Sequence, residues 1–95
     1  MDLQVLMIRV ELHRRHLMLL DVCCERYPDT SFCGRRMLRH CLDRGIPFHQ
    51  KWLSKLVTVG LLQKEESTRG GKRRYYRIKD LALARRVADS IKQSA

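Results

Sequence analysis

No apolar run in this 95-residue chain approaches the roughly 18 to 20 residues that a helix needs to cross a bilayer. The opening, MDLQVLMIRVELHRRH, lacks the basic start, uninterrupted apolar middle and small-residue cleavage site of a secretory signal, so an intracellular, cytoplasmic protein is expected. Proline is confined to Pro28 and Pro47, and residues 3–26 hold neither proline nor glycine, which leaves that stretch free of helix breakers. No Ser/His/Asp order, Gly-rich phosphate loop or paired carboxylates can be found, and the acids are scattered along expected helix surfaces. An enzyme is therefore not expected, and nothing calls for a cofactor. Repeats, low-complexity tracts and linkers are absent as well, which predicts one domain over residues 1–95.

Acids are outnumbered two to one: ten Asp and Glu face twenty Lys and Arg, for a net charge of +10 and an isoelectric point near 10.1. So basic a balance points to a polyanionic partner. The excess is uneven, because residues 1–47 hold eight basic and six acidic residues (+2), whereas 48–95 hold twelve and four (+8). Its densest part is 67–79, with six basic residues and no acid, where Arg69, Lys72, Arg73 and Arg74 gather around Gly70-Gly71. A two-residue glycine turn between strand-type residues predicts a hairpin, so 61–67 and 75–79 read as the strands of a basic ribbon. The broad Trp/Phe/Leu stripe of an interfacial helix is missing, which argues against a membrane as the partner. A hydrophobic fraction of 44% excludes a disordered chain. A chain this short nevertheless buries only about 60 to 65% of its unfolded surface, so a partner subunit or a cross-link is an expected source of added stability.

Residues 3–26 predict one long helix or two consecutive pieces, ending before Tyr27-Pro28-Asp29-Thr30. Leu12, Leu19, Leu20, Cys23 and Tyr27 keep helical spacing, whereas Leu3, Val5, Leu6, Met7, Ile8 and Val10 are almost continuous. That continuity predicts burial in a subunit interface, as helix or as a short strand. The cluster His13-Arg14-Arg15-His16 reads as a solvated break between two apolar patches. Thr30 or Ser31 is placed to cap a second helix over 32–44, with Phe32, Met37, Leu38, Cys41 and Leu42 inward and Gly45 at the left-handed stop. After the short link Arg44-Gly45-Ile46-Pro47, Pro47 opens a third helix that Gly60 ends. Its buried stripe is Phe48, Trp52, Leu53, Leu56 and Val59, opposite Gln50, Lys51, Ser54, Lys55 and Thr58. Asp80 caps a last helix whose stripe is Leu81, Ala84, Val87, Ala88 and Ile91. That stripe exceeds what so small a monomer needs to cover, so the last helix is expected to pack with the N-terminal segment across a two-fold axis.

Two helices joined by a tight Gly-containing turn form a helix-turn-helix, whose second helix enters a DNA major groove. With the basic ribbon after it, the order is that of a winged helix. The predicted class is α+β, mostly α: a three-helix core, a two-stranded β wing and a C-terminal helix. Gln50, Lys51, Ser54, Lys55 and Thr58 supply donors and acceptors suited to base edges, with His49 at the rim of that face as a phosphate contact or a packing residue. Arg69, Lys72, Arg73 and Arg74 suit phosphates or a narrow minor groove. Tyr75 and Tyr76 point to opposite faces of their strand, one toward the core. A protein adaptor or an RNA-binding module are the alternatives. An adaptor needs no such uncompensated charge, and an RNA binder more often shows exposed stacking aromatics.

Cys23, Cys24, Cys33 and Cys41 form an adjacent pair and an eight-residue gap, not the paired C-x2–4-C spacing of a zinc site, so no metal is expected. Buried thiols are the simplest reading. A bridge from Cys23 or Cys24 to Cys33 or Cys41 is the alternative, and a redox or metal sensor the third. Cys33 and Cys41 on one helix would lie ~12 Å apart, too far to pair with each other.

The run Trp52-Leu53-Ser54-Lys55-Leu56-Val57-Thr58-Val59-Gly60-Leu61-Leu62 and the run Arg69-Gly70-Gly71-Lys72-Arg73-Arg74-Tyr75-Tyr76-Arg77-Ile78 resemble the recognition-helix ending and the wing of MarR, ArsR and PadR winged helix-turn-helix regulators. Compact proteins of this kind also occur in archaea, their viruses and plasmids. The resemblance covers about residues 31–79. It implies a homodimeric regulator of transcription on double-stranded DNA, with residues 47–59 in the major groove and the wing 67–77 on the minor groove or backbone. Pro47-Phe48-His49 departs from the small or hydroxylated residues usual at the recognition-helix start, and the short chain leaves no evident room for an effector domain.

Overall fold

The computed structural model describes residues 3–65 and 74–93, the last three by their backbone alone. Among the described residues it is a mostly helical α+β arrangement of five helices and a three-stranded antiparallel sheet. Among the described residues no helix is long and apolar enough to cross a membrane.

The N-terminal stretch divides into α1 (Leu3–Arg9) and α2 (Arg14–Arg26). Val10 and Glu11 turn the chain through tight backbone bonds, Glu11 N–H to Ile8 and Leu12 N–H to Arg9, both 3.1 Å. His13 then takes an extended backbone as the N-cap of α2, and its N–H donates to Nδ1 of His16 at 3.0 Å, the return arm of a capping box. The predicted solvated break is present in three of its four residues. His13, Arg14 and Arg15 are exposed while His16 is buried. Of the apolar run at the N-terminus, Val5 is buried and Ile8 half-buried within the chain, while Leu3, Leu6, Met7 and Val10 stand exposed in an i, i+3, i+4, i+7 row.

Phe32 and Cys33 form a strand, β1, and not the first turn of a helix. The cause lies far along the chain. Phe32 pairs with Tyr76 and Cys33 with Tyr75, and the Phe32 ring stacks between Tyr27 (5.1 Å) and Tyr76 (6.0 Å). The second helix, α3 (Gly34–Asp43), therefore starts late and is capped by Cys33, without a side-chain bond from Thr30 or Ser31. Met37 and Cys41 face the core, but Leu38 and Leu42 do not, Leu42 being 67% exposed. Gly45, at φ +66°, closes the helix as predicted.

The third helix, α4 (Gln50–Thr58), begins three residues after Pro47. His49, extended at φ −146°, is the N-cap, and its Nδ1 accepts the Lys51 N–H at 3.1 Å. Leu53 and Leu56 are fully buried and Trp52 half-buried. Gly60, at φ +88°, ends the helix and turns the chain into β2 (Leu62–Glu65). The return strand β3 (Tyr75–Ile78) runs between β1 and β2, with Leu62 opposite Ile78 and Glu65 opposite Tyr75. Tyr76 points into the core and Tyr75 is half-covered, the predicted alternation. Asp80 caps α5 (Leu81–Gln93) by accepting the Leu83 N–H at 3.1 Å.

The core is built around α2, which lies against α5, α4 and α3. Leu17, Leu19, Leu20, Val22 and Cys23 meet Ala84, Val87 and Ala88 of α5 and Leu53 and Leu56 of α4 in one cluster. The α5 stripe is thus consumed inside the monomer, which also holds α1 against α5. Ala84, Val87 and Ala88, expected at a two-fold axis, are thus covered within one chain, and the side chain of Ile91 lies outside the described residues.

Candidate nucleic-acid interface

Two elements carry the candidate residues: the outer face of α4, and the β2–β3 ribbon that follows it. The ribbon tip, with Arg69, Gly70, Gly71, Lys72 and Arg73, lies outside the described residues. Arg74 at its base is exposed, as are Lys64 and Arg77 on its strands. Arg77 is anchored, donating to the Asp29 carbonyl at 2.8 Å and lying 3.7 Å from the Glu65 carboxylate.

On α4 the six candidates are not equivalent. Lys51 is exposed and has no ion pair among the described residues. Ser54 beside it is half-exposed. Lys55 sits one turn on, with its ammonium 3.5 Å from Glu11 in an exposed pair worth little in free energy. Thr58 donates its hydroxyl to the Ser54 carbonyl at 3.0 Å, so its proton is turned inward along the helix. His49 is occupied as the cap.

Gln50 is held most firmly. Its Nε2 donates to the hydroxyl of Tyr76 at 2.7 Å, tying the first residue of α4 to the central strand of the sheet. Its Oε1 fills the space beside Gly34, where a Cβ would come within 2.5 Å of it. A side chain at 34 would therefore displace the Gln50 amide. Gln50, although exposed, thus ties the start of α4 to the sheet, an engagement that the sequence reading, which gave it to base contact, did not foresee.

Sequence reasoning also passed over Arg35, Arg36 and Arg39, all exposed on α3. Arg36 and Arg39 line an open cleft of about 360 Å³ with Tyr27, His40 and Asp43, in which the Tyr27 hydroxyl and His40 Nε2 are 2.8 Å apart. The Arg-Arg-x-x-Arg spacing was legible. It was masked because the acids of the first half offset these charges in a count.

The four cysteines are buried free thiols. Burial pushes the Cys23 thiol well up, with Cys24 and Cys41 adding to it, and pushes Cys24 up to about 11. Burial also raises Cys41, against the pull of Arg44. Such thiols are poor nucleophiles at neutral pH. Among the described residues no three His, Cys, Asp or Glu side chains gather as a metal site would require.

The chain matches no protein-family model, no curated protein and no solved structure.

Proposed function

We propose that this chain is a sequence-specific double-stranded DNA-binding protein, a compact winged helix-turn-helix regulator of the MarR, ArsR and PadR kind. The observation that carries the reading is that α4, with Lys51 exposed and Ser54 half-exposed, is followed directly by the antiparallel strands β2 and β3, with Lys64, Arg74 and Arg77 exposed in or beside the most basic stretch of the sequence. The element order α2-β1-α3-α4-β2-β3, the sheet order β1-β3-β2 and the tight turn at Gly45 support it. The net charge of +10 supports a polyanion as the ligand.

In this reading α4 lies in the major groove, where Lys51, Ser54 and Lys55 meet base edges, and Gln50 holds the helix at its depth. Arg69, Lys72, Arg73 and Arg74 meet phosphates or the minor groove. The protein works inside the cell as a homodimer through the exposed row Leu3, Leu6, Met7 and Val10, and its DNA site is two-fold symmetric. Selection of bound duplexes from a random pool, followed by footprinting, tests the proposal. A palindrome with half-sites ~10 base pairs or a multiple apart is expected. Equal or tighter binding of structured RNA at the same salt concentration rejects it in favour of an RNA-binding module, and no nucleic-acid binding rejects it in favour of a protein adaptor.

A further inference from the structure

Trp52, the single tryptophan of the chain, sits on the inner side of α4 enclosed by basic groups. The Arg15 guanidinium lies 5.6 Å from its ring centroid, the His16 ring meets it edge-on at 6.3 Å, and the His49 ring leans on it at 6.2 Å. His16 is the buried member of this group, stacked at 5.7 Å on His13. Its Nδ1 accepts the His13 backbone N–H, so that nitrogen carries no proton in the folded protein. A second proton on the ring would have to go to Nδ1. It would end that bond and leave the N-cap of α2 without its acceptor.

We infer that His16 makes the seam between α2 and α4 a proton-sensitive clamp, so that acidification loosens the seating of the proposed recognition helix and weakens its choice of DNA sequence. The inference rests on the DNA-binding reading only in its last clause. Charge around His16 acts in one direction. Arg15 of α2, its N-cap His13 and Lys55 of α4 all oppose an imidazolium there, and the acid Glu11 is paired with Lys55. From the elements on the other faces of α2, Arg85 and Asp89 bear on Cys24, and Arg44 bears on Cys41 and Glu25. Burial first, then these cations, hold the His16 imidazolium below the usual histidine range.

With the folded value below the unfolded 6.5, the unfolded chain binds more protons between the two. The contribution of His16 to stability is therefore complete above about pH 6.5 and falls as pH descends to the folded value.

Emission of Trp52 reports on the clamp directly. Between pH 7.5 and 4.5 the wild-type protein should show a reversible transition with its midpoint below 6.5, and His16→Gln should remove it. Gln, with Glu one of the two residues usual at this position of a capping box, can accept the His13 N–H without titrating. His49→Asn should keep the transition. Retention of the wild-type transition in H16Q overturns the inference, as does its loss in H49N. Should H16Q fold poorly, histidine ring NMR on the wild-type protein decides: His16 must titrate below 6.5 with the His13 amide moving in step, and a value at or above 6.5 contradicts the clamp. On selected DNA, preference over random duplex should fall on the order of tenfold between pH 7 and 5 in the wild type and stay flat in H16Q. A Trp52 transition with DNA preference independent of pH overturns the regulatory claim. A transition in a protein that binds no DNA at any pH leaves the clamp standing and defeats the DNA-binding reading.

Discussion

Replacing Gly34 with alanine should change stability in opposite directions depending on residue 50. Gly34 opens α3, and a helix favours Ala over Gly by up to about 1 kcal/mol. In the wild-type protein that gain is opposed. The new Cβ would stand 2.5 Å from Gln50 Oε1, and the amide must rotate away because it is the flexible end of its side chain. Rotation breaks the 2.7 Å bond to the Tyr76 hydroxyl, which is fully buried, and an orphaned buried hydroxyl costs about 1 to 3 kcal/mol. Gly34→Ala should therefore be neutral to destabilising by about 2 kcal/mol. In a Gln50→Ala background the obstructing oxygen is gone and the bond already lost, so the same change should stabilise by a few tenths to about 1 kcal/mol. The double-mutant cycle then yields a coupling of about 1 to 3 kcal/mol. Urea unfolding followed by circular dichroism measures all four proteins, provided the m-value is constant. Tyr76→Phe in place of Gln50→Ala should give the same reversal. An equal effect of Gly34→Ala in both backgrounds would refute the view that Gln50 pins α4 to the sheet.

Replacing Leu6 and Met7 with Asp should turn a dimer into a monomer by sedimentation at micromolar concentration without loss of helix content, because both side chains are exposed in one protomer; a wild-type monomer would remove the expected palindrome as well. Ellman's reagent at pH 8 should leave Cys23, Cys24 and Cys41 almost unmodified in the native protein and react with four thiols after denaturation without reductant. Fewer than four would reveal a bridge in the isolated protein. Leu56→Ala, at a fully buried site between α4 and α2, should cost about 2 to 5 kcal/mol in the same urea assay.

Helix breaks and stops were legible because each has a local cause: glycine at 45 and 60 takes positive φ, and Asp80 reaches its own helix N-terminus. The alternation of Tyr75 and Tyr76 was legible for the same reason. What escaped reading depends on partners distant in sequence. Phe32 is extended because Tyr76 lies beside it, and the amide of the exposed Gln50 is held at the Tyr76 hydroxyl, next to Gly34. Composition did indicate a basic ribbon and a polar face on α4. It did not show that Gln50, His49 and Thr58 of that face are engaged within the fold, or that His16, in a run of charged residues, is buried.

The most direct test of the proposed function is the salt dependence of binding to a selected duplex, measured by fluorescence anisotropy for the wild type, Lys51→Ala, and a variant with Arg73 and Arg74 both changed to Ala. A DNA-reading helix with an electrostatic wing predicts that the Arg73/Arg74 variant binds selected and random duplex more weakly, with a log–log salt slope reduced by roughly 1 per phosphate contact removed. Lys51→Ala should lose about 1 to 3 kcal/mol of preference for the selected site. Unchanged affinity and salt slope in the Arg73/Arg74 variant, with unchanged preference in Lys51→Ala, would contradict the account.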